Sequence, residues 1–242
     1  MIKVISLDLT NVRFSKRDRE KGITIPKFLT PELAEDIGIH LGDGSLYRCN
    51  HKKSSHEFAY SFNIDEKDYA LHVLKLKKKL YNLQKFRLIK GKGKELRLLF
   101  NSIAITTFYT SVFNIPVGSK TYTCKVPDII KRSNDMQIIA SCIRGIVDTD
   151  FWFGFKHKYG KLYPVLSAYF ASPFIVKDLS DLFALLGIEN YLKFNQLKND
   201  KRFKEPHISH EITINGYKRI NKYLKLVGFN NSKNVNYPAL KG

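Results

Sequence analysis

The sequence predicts an α+β fold of two pseudo-symmetric halves, each running helix, strand, strand, helix, strand, strand, helix (αββαββα). Three observations carry that expectation. A helix with an apolar stripe ends on an aspartate twice, at Asp43 and at Asp150, 107 residues apart. The segments after the first aspartate recur in the same order after the second. Each half then closes on a Ser-Lys pair in a glycine- or asparagine-rich turn with a proline beyond it. These are "IPVGSKTYTCKVP" with Lys120 and "VGFNNSKNVNYPA" with Lys233, placed 77 and 83 residues after Asp43 and Asp150. The period is far too long for a solenoid, so two similar halves packed about a pseudo-two-fold axis are expected.

Element by element, Thr30-Pro31 has the character of an N-cap with proline at the first helical position, and Leu33, Ala34, Ile37, Gly38 and Leu41 follow at helical spacing, giving a helix that ends at Asp43. "SLYRCN" and "EFAYSFNID" alternate and flank the polar loop "HKKSSH", a hairpin pattern. "EKDYALHVLKLKKKLYNL" is a second helix, "FRLIKGKGKELRLLF" a strand, glycine turn and strand, and "SIAITTFYTSVFNI" a third helix. The second half begins with Ser133 or Asn134 capping "DMQIIASCIRGIVDTD". "FWFGFKHKYGKLYPVLSAYFAS" is a hairpin, "PFIVKDLSDLFALLGI" a helix, "YLKFNQLKNDKRFKEPHISHEITI" a hairpin with a long basic turn, and "GYKRINKYLKLVGF" the last helix. Residues 1–29 have no counterpart in the second half and form an N-terminal basic extension, an arm or an edge packing element. Residues 30–132 and 133–242 are the two repeats.

Lys+Arg 41 against Asp+Glu 22 gives a net charge of +19, and 43% hydrophobic residues suffice for a core. The basic residues are spread along the chain, which favours an extended polyanion, nucleic acid ahead of a membrane surface. Charge says nothing of catalysis. Cys49, Cys124 and Cys142 are isolated, with no C-x-x-C spacing, so neither a zinc finger nor a disulfide framework is supported. No apolar run approaches the ~20 residues of a membrane span, and no signal peptide is visible. A soluble protein of a reducing, prokaryotic cytoplasm is expected. His51, His56, His157, His207 and His210 form no ligand pattern and are assigned to loop or strand surface. "FWFGF" reads as buried sheet and not as a base-stacking platform.

"DIGIHLGDG", residues 36–44, and "IRGIVDTDF", residues 143–151, resemble the two nine-residue signature helices of the LAGLIDADG homing endonucleases. The order of strands and helices over roughly residues 30 to 240 is similar to the single-chain, two-repeat form, and "PKFLTPELAEDIGIHLGDGSL" is similar to the archaeal intron-encoded members. Gly38 and Gly145 occupy the same place in each helix. Glycine costs about 1 kcal/mol there relative to alanine, so close contact between backbones is the expected return. Such a crossing would bring Asp43 and Asp150 together, more negative charge than the spot tolerates without divalent cations.

The resemblance implies a monomeric, site-specific endonuclease cutting both strands of duplex DNA, with antiparallel sheets forming a DNA-binding saddle. It implies that Asp43 and Asp150 hold magnesium, with manganese as a substitute, aided by the carbonyls of Gly42 and Thr149. Oxygen-only ligation suits these hard ions. Lys120 and Lys233 would orient water or neutralise transition-state charge, and Asn63 would position water. In the second copy Phe151 replaces the closing glycine, and Phe170 matches Asn63, so the two centres are expected to be unequal. Asp148 is taken as a structural N–H acceptor or surface group in preference to a group supporting the metal site. A non-catalytic binder or an RNA-splicing maturase on the same scaffold is the alternative, with intron RNA as its partner. The termini lack the residues of protein splicing, so a freestanding enzyme is preferred to an intein.

A two-stranded ribbon fits the major groove, so DNA readers are sought on the hairpins. The candidates are Arg48, Lys52 and Lys53 in the first, Lys90, Lys92 and Arg97 in the second, Lys156, Lys158 and Lys161 in the third, and Lys193, Lys198, Lys201, Arg202 and Lys204 in the fourth. Most are expected on phosphates.

Overall fold

A computed structural model describes residues 4–48, 56–158, 160–198 and 205–234 of the 242-residue chain. The element order is β1 (Ile5–Ser6), α1 (Lys16–Glu20), β2 (Phe28–Leu29), α2 (Pro31–Leu41), β3 (Gly44–Arg48), β4 (His56–Asn63), α3 (Lys67–Tyr81), β5 (Arg87–Lys90), β6 (Glu95–Phe100) and α4 (Ile103–Val112). It continues with α5 (Asp128–Lys131), α6 (Met136–Asp150), β7 (Trp152–Lys158), β8 (Lys161–Phe170), α7 (Pro173–Leu185), β9 (Tyr191–Lys198), β10 (His207–Asn215) and α8 (Tyr217–Leu226). The αββαββα order is present twice. The two four-stranded antiparallel sheets have matching orders, β3-β4-β6-β5 and β7-β8-β10-β9.

Local chemistry sets the helix starts. The Thr30 hydroxyl accepts the Leu33 N–H at 3.2 Å with Pro31 opening α2. The second signature helix is capped by Asp135, whose carboxylate accepts the Gln137 and Ile138 N–H groups. This corrects the expected cap at Ser133 or Asn134: Asn134 takes a left-handed φ of 52° and leads into the cap. α2 ends at Leu41, two residues before Asp43, whereas α6 runs through Asp150. The extension packs at an edge. β1 pairs with β2, and buried Asp18 accepts the Ser15 hydroxyl and the Ala104 N–H.

One core spans both halves, with Leu33, Ile37, Ile139, Ile143 and Ile146 at its centre. Gly38 and Gly145 make the crossing of α2 and α6. A Cβ on Gly38 would lie 2.2 Å from the Cys142 carbonyl oxygen, and one on Gly145 would lie 2.4 Å from that of Glu35. Main chain meets main chain, as the paired glycines predict. Polar groups tie the halves at the same seam: Glu35 accepts from Arg144 Nη2 at 2.6 Å and Asn230 Nδ2 at 2.7 Å of the second half, and pairs with His72 Nε2 of its own half at 2.7 Å.

The first half also holds a fully buried ion pair, Lys77 Nζ to Asp36 Oδ1 at 2.6 Å. Lys77 donates to the hydroxyls of Tyr60 and Tyr109, and Asp36 accepts from those of Tyr81 and Tyr109. Among the described residues no helix is long and apolar enough to cross a membrane.

Candidate active site and nucleic-acid interface

The two aspartates meet at the ends of α2 and α6. Gly42 lies so close to the second helix that a Cβ there would sit 2.0 Å from Thr149 Oγ1 and 2.3 Å from Asp150 Oδ2. Thr149 Oγ1 donates to Asp150 Oδ2 at 3.1 Å. Asp43 follows Gly42 in the turn into β3, which presents its carboxylate at the same junction. Burial and the Asp150 charge push the Asp43 carboxyl up to about 7, against the pull of Lys233 and Lys120 and with a further push from Glu66. Asp150 exposes part of its surface but is crowded by protein at longer range. That crowding pushes it up to about 6 against the opposing Lys120, Thr149 hydroxyl and Lys233. The negative end of α6 adds to the same strain.

Each lysine reaches this junction by its own route. Gly118 (φ 104°) donates its N–H to the Leu46 carbonyl at 2.7 Å, pinning its loop against β3, and Lys120 Nζ donates to the Gly42 carbonyl at 2.9 Å. In the second half, Asn230 N donates to Asp148 Oδ2 and Asn231 Nδ2 to the Asp148 carbonyl, which places Lys233 Nζ 2.9 Å from Glu66 Oε1. Buried Asp148 is therefore a structural acceptor, and burial pushes its carboxyl up to about 6 against the hydrogen bonds from Asn230 and Asn231. The lysines are unequal: one rests on a prospective ligand carbonyl, the other is paired across the halves with a carboxylate.

The donors fit a hard divalent cation. Two crowded carboxylates with raised pKa values gain from a positive charge, and an ammonium group already rests on the Gly42 carbonyl. The Thr149 carbonyl lies at the open end of α6, next to that of Asp148, which Asn231 caps. Among the described residues no group of three or more His, Cys, Asp or Glu could hold a metal, so the remaining ligands would have to come from water or a bound partner. Burial pushes the Cys124 and Cys142 thiols up to about 11 and about 12, which disfavours thiolate ligation.

Asn63 does not point its amide at this junction as a free group. Its side chain accepts the Asp65 N–H and its own N–H donates to Glu66, a capping box over the short 3-10 turn Ile64–Glu66. Strand register also shifts its counterpart. Ser45, two residues after Asp43, faces Ala59, and Trp152, two residues after Asp150, faces Ser167. Four residues further along each strand the match to Asn63 is Ala171, which corrects Phe170. Glu66 was missed, although the Asn63-x-x-Glu66 spacing carries a capping-box signal.

Alternation along the strands sorts the basic residues. In the first sheet Leu46, Phe58, Leu96 and Leu98 face the helices, and Ser45, Tyr47, Glu57, Ser61, Arg87 and Arg97 share the opposite, open face. Arg97 is thus where a DNA contact was expected. Arg48 and Lys90 are in phase with the helix-covered face, as partners of His56 and Leu96, and Lys92 lies in the turn after β5, so none of the three alternates onto the open face. Arg87, not foreseen, takes the open position.

In the second sheet Lys156 and Lys161 fall on the open face, and the side chain of Lys158 lies outside those described. A β-bulge opposite His210, with Asn195 at φ 55°, lets Lys193 and Lys198 share that face. Lys52, Lys53, Lys201, Arg202 and Lys204 lie outside the described residues. Trp152 is 49% exposed on the open face and lies over Gly154, so "FWFGF" is not wholly buried sheet. His210 is buried and accepts the Asn195 N–H, unlike the surface role expected of it.

Solved structures share this fold. The homing endonuclease I-WcaI bound to its DNA recognition sequence matches with a TM-score of 0.56 at 14% identity, covering 93% of this chain and 94% of its own. Mesophilic variants of the homing endonuclease I-DmoI match with a TM-score of 0.53 at 16% identity, covering 82% and 95%. I-DmoI in complex with DNA and Mn matches with a TM-score of 0.52 at 16% identity, covering 82% and 96%. No family model and no curated protein matches the sequence. The fold is the one that the resemblance to LAGLIDADG homing endonucleases implied.

Proposed function

We propose that the chain is a site-specific endonuclease that hydrolyses both strands of a long double-stranded DNA target, acts as a monomer and uses magnesium, with manganese able to substitute. The observation that carries this is the convergence of Asp43 and Asp150 at a glycine-packed helix crossing, beside two lysines and between two open basic sheets. A protein that only bound nucleic acid, or a maturase without nuclease activity, would have no use for two crowded carboxylates that repel phosphate. I-WcaI bound to its DNA recognition sequence and I-DmoI in complex with DNA and Mn support the same reading.

In this reading Asp43 and Asp150, with the Gly42 and Thr149 carbonyls, hold the cation. A bound divalent ion supplies charge at the phosphoryl oxygens and lowers the pKa of water. The open faces bind the duplex and hold its phosphates over the junction. Lys120, released from the Gly42 carbonyl, and Lys233, shared with Glu66, set positive charge beside the phosphate and stabilise the charge that develops on its oxygens.

The test is selection of a cleaved site from a randomised duplex library in magnesium, followed by Asp43→Asn and Asp150→Asn on the selected site. Each variant should lose double-strand cleavage while keeping its affinity. Undiminished cleavage by either variant refutes the assignment. Retained binding by a wild-type chain that cuts nothing favours the binder or maturase.

A further inference from the structure

The open faces of a strongly basic protein carry two buried carboxylates, each held by a tyrosine hydroxyl and by a cation of an edge strand. In the first sheet the Glu57 side chain is 11% exposed and accepts from Tyr47 Oη at 2.5 Å and from Arg87 Nη2. In the second, Glu211 is 8% exposed and accepts from Tyr169 Oη at 3.0 Å, Lys193 Nζ at 3.1 Å and Thr213 Oγ1 at 3.2 Å. Burial works against the ionised form of Glu211, but the bonds from Lys193, Tyr169 and Thr213 outweigh it and hold its carboxyl below the ordinary range. The cations stand in front, Arg87 at 60% and Lys193 at 64% exposed. Both sit on an outermost strand of their sheet, β5 and β9, while the carboxylates they face stand on different strands, Glu57 on β4 and Glu211 on β10.

These pairs differ from the ordinary surface ion pairs of the chain, such as Lys177 with Asp181 or Lys94 with Asp65, in which both partners are well exposed. A buried carboxylate facing a polyanion is repulsive unless it has local work. Here it takes one donor from the cation, cancels most of its charge and fixes its direction. That weakens the cation as a phosphate contact and leaves its remaining N–H groups aimed outward at neutral acceptors. In the major groove guanine presents two such acceptors, O6 and N7, on one edge, which suits the fork of Arg87 and the remaining ammonium donors of Lys193.

We infer that Arg87 and Lys193 are guanine-reading side chains, one in each half of the protein, and that Glu57 with Tyr47 and Glu211 with Tyr169 are the positioning groups that make them read a base. This rests on the proposed site-specific binding of duplex DNA and assigns part of its specificity.

The experiment is a binding selection from a randomised duplex library without divalent metal, run on the wild-type chain and on Glu57→Gln, Glu211→Gln and Lys193→Met, with melting curves to confirm folding. Wild type should enrich a guanine at one position in each half-site. Glu211→Gln and Lys193→Met should lose about 10- to 100-fold of the preference at the same position, and Glu57→Gln at the position in the other half. The exposed Lys193 side chain keeps the test open if the buried glutamates prove necessary for folding. Unchanged base preference in folded variants overturns the inference while leaving site-specific binding standing. A uniform loss of affinity in Lys193→Met, with the log–log salt slope falling by about 1, would make Lys193 a phosphate contact and also overturns it. A wild-type chain that enriches no sequence refutes the proposed function, and this inference with it.

Discussion

Asp43→Asn should make the metal-free protein more stable at neutral pH while disabling the site. Asp43 is raised from the ordinary 3.8 to about 7 by burial and by Asp150. An acid whose pKa is raised on folding contributes fully when protonated in both states, below its unfolded pKa, and loses that contribution as pH climbs through the folded value. Wild type should therefore equal the variant near about pH 4, fall behind it up to about pH 7, and run parallel above. At 1.36 kcal/mol per pH unit the ceiling is about 4 kcal/mol. Asp43 and Asp150 share one site and water reaches part of it, so about 2 kcal/mol is the expected separation. Urea unfolding of both proteins in chelator at about pH 4 and about pH 8 reads it directly. Magnesium should then close the gap, since an ion at 100 times its dissociation constant adds about 2.7 kcal/mol to the protein that binds it. Curves that stay superposed from acid to neutral pH would refute the strained-carboxylate reasoning.

Other consequences can be measured on the same protein. Gly145→Ala places a methyl 2.4 Å from the Glu35 carbonyl, and because backbone must yield it should cost about 2 kcal/mol in urea unfolding despite the gain in helix propensity. Lys77→Met leaves the Asp36 carboxyl buried among tyrosines without its cation, so stability should drop by about 3–5 kcal/mol, and a double replacement with Asp36→Leu should recover much of it. Lys120 and Lys233 start from different partners, so the strands should be cut at different rates and nicked plasmid should precede linear. Glu66→Gln, which loosens Lys233, should alter the nicked-to-linear ratio in a time course, about tenfold in rate for each 1.4 kcal/mol of barrier.

Much of this architecture is legible in the sequence because its strongest signals are local. Thr30-Pro31, the stripe through Ile37 and Leu41, and the paired glycines at 38 and 145 each have one physical reading, and the stripe and the glycine recur in the second half. The sheets are harder, since a one-residue error in strand phase moves a side chain to the other face. Only the strand register separates Arg97 and Arg87, which face the open side, from Arg48 and Lys90, which alternate away from it. The bulge at Asn195 puts Lys193 and Lys198 on one face although they stand an odd five positions apart, and no periodicity announces it. The two-residue strands of the extension are too short to leave a pattern. Asp36 and Lys77 find each other through tertiary packing between α2 and α3, which spacing along the chain does not encode.

The contact between Gly38 and Gly145 acts as a ruler. Because main chain touches main chain there, the separation of the two aspartates is a property of the polypeptide itself and not of any side chain that drift could lengthen or shorten. In the proposed enzyme the offset between the cuts on the two strands, and so the overhang left on the product, is inherited from that crossing. The sheets can then be re-addressed to new sequences, residue by residue, without changing the kind of DNA end that the host must repair.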